Sequence, residues 1–130
     1  MKVYKGSCLC GVITFEVQGP LHPPDACPCA ICRKQSGHFW ASTDVPKEAL
    51  QILTGQDNLR WYQSSEKVRR GFCGECGSVL FWDPLFYHTT AIAMGAFDES
   101  TQLQLAKHIF VSEKGDYYEL ADDLPKFQRY

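Results

Sequence analysis

The chain has no long apolar run, no excess of basic residues and no low-complexity tract. Nowhere do roughly 18 apolar residues follow one another, so no membrane-spanning helix is expected. The opening "MKVYKGSCLCG" has no apolar stretch of the length a secretory signal needs. The formal net charge is −2, so the basic footprint usual in nucleic-acid binding is missing and neither DNA nor RNA is expected as a partner. No repeat and no linker divides the 130 residues, which suit one domain spanning 1–130 with a core of its own. These absences point to a soluble cytoplasmic protein. In that compartment thiols stay reduced and cysteines serve as metal ligands or reactive groups rather than as disulfides.

What is abundant is cysteine. The count is seven, an odd number that cannot close into disulfides alone. All seven fall into three tight groups: Cys8 and Cys10; Cys27, Cys29 and Cys32; Cys73 and Cys76. None stands isolated, as a packing cysteine would.

Between these groups the chain reads as short strands. "VITFEV" alternates, with Ile13, Phe15 and Val17 on one face and Thr14 and Glu16 on the other. Gly19 and Pro20 stop it, and "GPLHPPDA" reads as a loop. Strands are also expected over 38–43, 50–53, 59–63, 68–72, 78–82, 89–94 and 108–111, with short helical turns at "ICRKQS" and "PKEAL". Short strands at regular spacing argue for a mainly β domain, a sandwich or barrel-like fold. Trp40, Trp61 and Trp82 fall in such strands and read as core.

"GFCGECGS" carries the clearest ligand motif. Its Cys-x-x-Cys turn points two sulfurs at one ion, and Gly74 and Gly77 are expected to supply positive φ and bring amide groups to the thiolates. Two sulfurs make half a tetrahedral site. Cys8 and Cys10 can complete it, because residues i and i+2 of an extended strand point the same way. The alternative takes two ligands from the central cluster. The first pairing is preferred: it makes one closed four-cysteine zinc site of structural type, with Cys73 and Cys76, and leaves the triple intact.

"CPCAICRKQSG" then holds Cys27, Cys29 and Cys32. Three protein ligands and one open position are the usual arrangement of a catalytic zinc. Two zinc ions per chain are therefore expected, with solvent or substrate as fourth ligand of the second. A fourth ligand from His22, His38 or Asp25, or a redox-active pair without metal, remain as alternatives. A zinc bearing three thiolates is a weak Lewis acid, better suited to binding and deprotonating a substrate thiol than to making hydroxide.

Together "GSCLCG", "CPCAICRKQSG" and "GFCGECGS", with "KHIFVSEKGDYYEL" and "DDLPKF" near the end, resemble the glutathione-dependent formaldehyde-activating enzymes, a family that includes the centromere-protein-V-like proteins. The resemblance covers almost the whole chain. It implies a mainly β zinc-binding fold of the type shared with a Rab-exchange chaperone and methionine sulfoxide reductase B. It implies a structural zinc on Cys8, Cys10, Cys73 and Cys76 and a catalytic-type zinc on Cys27, Cys29 and Cys32. The implied activity is the joining of glutathione to formaldehyde, a carbon–sulfur lyase reaction in reverse. This chain resembles the compact members, shorter than the family's named enzyme.

On that reading a small thiol such as glutathione is the partner. Arg33 and Lys34 are candidates for its carboxylate, and Gln35, Ser36 and His38 for lining the pocket or moving a proton. The competing expectation is a non-enzymatic scaffold or protein-interaction module with two structural zincs.

Overall fold

The computed structural model describes residues 2–130. Among the described residues ten strands form two sheets. β1 (Val3–Ser7), β2 (Thr14–Gln18) and β5 (Leu50–Thr54) make an antiparallel three-stranded sheet in the order β1-β2-β5. β3 (Asp25–Cys27), β4 (Trp40–Pro46), β6 (Leu59–Gln63), β7 (Val68–Cys73), β8 (Val79–Pro84), β9 (Thr89–Ala93) and β10 (Lys107–His108) make the other, in the order β10-β3-β4-β9-β8-β7-β6. Only the β10–β3 pair is parallel. One α-helix, α1 (Ala30–Ser36), follows β3. The protein is mainly β.

The alternation read from "VITFEV" is the core signal. Ile13, Phe15 and Val17 are fully buried, while Thr14 and Glu16 lie half-buried on the opposite side. Phe15 meets Phe81 of β8 edge to face at 5.4 Å between ring centroids and Phe97 at 6.0 Å, which locks the small sheet onto the large one. Leu80, Val45 and Ile92 complete this apolar layer.

Several expectations are corrected. Cys8 and Cys10 do not sit on a strand. They follow β1 in a tight turn, closed by Gly11 N–H donating to Cys8 O and Cys8 N–H donating to Ile13 O, with Gly11 at φ +82°. The expected strand over 108–111 is only Lys107–His108, because Phe110 takes a left-handed φ of +54° and turns the chain into a 3-10 turn at Val111–Glu113. β4 starts at Trp40, since His38 is held under the C-terminal segment, and it runs on to Pro46 before the expected helical turn at Lys47–Ala49. Trp40 is buried as expected. Trp61 is not: it lies on the edge strand β6 with the Arg69 guanidinium over its ring at 3.8 Å.

The C-terminal segment has little regular structure but is pinned along its length. His108 and Phe127 exchange backbone hydrogen bonds with the Pro125–Phe127 stretch and β10, and His108 Nε2 bonds Asp122 Oδ2 at 2.8 Å. Among the described residues no helix is long and apolar enough to cross a membrane.

Candidate metal centres

The first centre lies where the two sheets meet at one end. Cys8 and Cys10 arrive from the turn after β1; Cys73 is the last residue of β7 and Cys76 lies in the turn to β8. Their four sulfurs are all within 4.8 Å of one another. The Cys8–Cys10 and Cys10–Cys73 sulfurs are 3.6 and 3.8 Å apart. A tetrahedron built on metal–sulfur bonds of about 2.3 Å has edges of about 3.8 Å, so the donor set fits one tetrahedral ion. All seven cysteines are free thiols.

Local backbone supports these sulfurs. Ile13 N–H donates to Cys8 Sγ at 3.3 Å and Glu75 N–H to Cys73 Sγ at 3.4 Å. Ser78 Oγ lies 3.2 Å from Cys76 Sγ and also accepts from Leu9 N–H, tying the two turns together. The serine hydroxyl and amide are the main reason the Cys76 thiol is pulled down to about 5. Gly77 has the expected positive φ, +81°, and its N–H closes the turn onto Cys73 O. Gly74 does not have positive φ. A Cβ there would stand 2.9 Å from Arg60 Nε and 3.3 Å from Asn58 O, so the exposed Arg60 side chain would have to shift.

The second centre is local to one loop. Cys27 ends β3, Cys29 is the N-cap of α1, and Cys32 is buried within the helix. The three sulfurs are mutually within 4.8 Å. Cys29 Sγ accepts from Cys32 N–H at 3.5 Å. Hydrogen bonds from the Cys27 and Cys32 thiols, aided by the amides of Cys32 and Ile31, lower the Cys29 thiol to about 2, while the bond to Cys29 raises Cys27. No histidine or carboxylate ligand atom joins the three sulfurs within that radius among the described residues. His22 is exposed, Asp25 is on β3, and His38 Nδ1 faces the Tyr117 hydroxyl at 3.4 Å.

The candidate substrate residues take different places. Lys34 and Gln35 line a cavity of about 320 Å³ with Ile31, Tyr62, Ser64 and Arg70. Arg33 turns the other way, its Nε donating to Glu113 O at 3.0 Å. Ser36 Oγ donates to Phe39 O and accepts from His38 N–H, so it shapes the turn after the helix. His38 packs among Phe39, Tyr117 and Tyr118.

Two residues at this centre were not found from sequence. Arg70, buried on β7, donates from Nη1 to Cys32 Sγ at 3.5 Å and to Gln35 Oε1 at 3.2 Å, and from Nε to Ser64 Oγ at 3.3 Å. It supplies a positive charge beside the sulfurs. Glu113 accepts the Ala30 amide at 3.0 Å through its carboxylate and holds Arg33 through its carbonyl.

The frame and the two sulfur clusters define a mainly β protein with two cysteine sites that can each hold a metal ion. The chain belongs to the glutathione-dependent formaldehyde-activating enzyme family, whose model matches residues 3–113. It is similar to an uncharacterised lyase of Schizosaccharomyces pombe, 25% identical over 134 residues that cover 98% of this chain and 92% of the relative. Its fold is similar to that of a Rhodobacter sphaeroides protein of known crystal structure, with a TM-score of 0.64 at 22% identity over 74% of this chain and 89% of that one.

Proposed function

We propose that this protein is a zinc-dependent carbon–sulfur lyase-like enzyme of the cytoplasm, which joins a small glutathione-like thiol to an aldehyde such as formaldehyde or releases it from the adduct. The observation that carries this reading is the inequality of the two clusters. Four sulfurs fill a tetrahedron and suit a structural ion; three leave one vertex, and they lie beside a cavity. Family membership and the lyase-named relative support the same chemistry.

Zinc held by Cys27, Cys29 and Cys32 would lower the pKa of a thiol placed at its free position. The residues of the chain do the rest. The Cys29 N-cap and the Arg70 contact to Cys32 fix the three sulfurs in one arrangement. Arg70 offsets the negative charge of three thiolates at a buried point. In the addition, a carbon–sulfur bond forms at the carbonyl carbon, and the proton lost by the thiol ends on the former carbonyl oxygen.

Elemental analysis of the purified protein with and without glutathione tests the reading, followed by assay of formaldehyde consumption. Two zincs per chain, glutathione binding that perturbs only the more labile one, and thiol-dependent turnover are expected. One tight zinc and no thiol binding would leave a scaffold with a structural site.

A further inference from the structure

The cavity beside the three-cysteine cluster has an unequal lining. Arg70 forms its deep side and is only 6% exposed, while Ile31, Lys34 and Tyr62 stand exposed around it. No aspartate or glutamate lines it. A guanidinium carries five N–H donors in a fixed fork. Nε is used by Ser64, and the two on Nη1 by Cys32 and Gln35. Nη2 has no protein acceptor among the described residues. It is not sealed off either, since among the described residues the one buried side-chain polar atom without a partner is Trp40 Nε1. A nearly buried cation lining the cavity thus keeps a pair of donors that no protein group accepts. Water can take these donors in the free protein, and a carboxylate that replaces it gains charge-assisted hydrogen bonds to the guanidinium.

We infer that this cavity is a carboxylate subsite, anchored by Arg70 with Lys34 and the Tyr62 hydroxyl at its mouth, and that it selects thiols bearing a carboxylate over neutral ones. The inference rests on the thiol reading above for its purpose, though not for its geometry. Arg70 touches Cys32 and the cavity at once, so an anion seated on Nη2 lies within one side chain of the sulfurs. A thiol and its carboxylate, joined by a short chain, can occupy both places together. The phenol of Tyr62 and the exposed Lys34 can follow ligands of different length, whereas Arg70, fixed by three partners, cannot.

Two measurements on the zinc-loaded wild-type protein decide it. The first compares binding of 3-mercaptopropionate with 3-mercapto-1-propanol, two thiols that differ only in the carboxylate. The acid should bind at least about tenfold more tightly, as expected for charge-assisted hydrogen bonds. Lys34→Gln should narrow that ratio by weakening the acid alone. The second follows the Arg70 Nε–H signal by NMR on adding propionate, which has no thiol, and it should shift with saturation. Equal binding of the two thiols, with an Arg70 signal that propionate does not move, overturns the subsite while leaving the thiol site standing. A propionate-dependent shift without binding of either thiol keeps the anion site and refutes the thiol reading instead.

Discussion

Arg70 of β7 and Cys32 of α1 lie 38 positions apart in the chain and meet at 3.5 Å between Nη1 and Sγ. Through this contact the large sheet fixes the helix that carries the third sulfur. The three-cysteine cluster is local in sequence, but its setting is not.

The two clusters should respond differently to loss of one sulfur. Cys73 is fully buried at the junction of both sheets. Binding of a structural zinc is worth about 10–16 kcal/mol in small domains, comparable with or larger than the whole stability of a domain. Cys73→Ser is therefore expected to unfold the protein. A cooperative thermal transition at the wild-type temperature would contradict this.

Cys29→Ser should abolish the second metal and spare the fold, because Cys29 is an N-cap and a serine can still cap α1. The expected result is one zinc per chain with unchanged far-UV circular dichroism. An unfolded variant would make the triple structural.

Truncating Phe15, which stands between Phe81 and Phe97, should cost about 3–5 kcal/mol. Urea unfolding of Phe15→Ala at constant metal checks it. A loss below about 1 kcal/mol would mean the sheets are held by the four-cysteine centre rather than by this aromatic contact.

Docking of the C-terminal segment should depend on acid pH. The hydrogen bond from His108, with help from Leu124 N–H and Lys126, lowers the Asp122 carboxyl from 3.8 to about 2. The folded value lies below the unfolded one, so the contribution is complete above about pH 4 and fades as pH falls through about 2. Hydrogen exchange at the Phe127 amide, which donates to His108 O, reports it locally. Asp122→Asn should raise exchange at neutral pH and flatten the acid response.

Much of the site was legible because cysteine spacing is a local property. Four plus three was the preferred division of the three groups over one that draws two ligands from the central cluster, and the sulfurs gather that way. The core strand was legible for a similar reason, since Ile13, Phe15 and Val17 repeat every second residue. What failed needed information the repeat does not hold. Cys8-Leu9-Cys10 fits a strand and a tight turn equally well by spacing, and only the closing bonds at Gly11 and Ile13 decide. In "VRRGF" two adjacent arginines necessarily face opposite sides of β7. Arg69 takes Asp83 at 2.7 Å and the Trp61 ring on one side; Arg70 goes inward to Cys32. Nothing in the order of the two residues says which is which. β3 was missed because three residues behind a proline-rich loop carry no alternation.

The chain order of the ligands has a consequence for biogenesis. Five of the seven cysteines precede residue 33, whereas Cys73 and Cys76 emerge some forty residues later. While the chain is being synthesised, Cys8 and Cys10 share the solvent with a complete sulfur triple and not with their own partners. An ion captured at that stage would meet a different set of sulfurs from the one the fold gathers. Metal supplied after release of the chain would instead find the seven sulfurs already sorted by the fold into four and three.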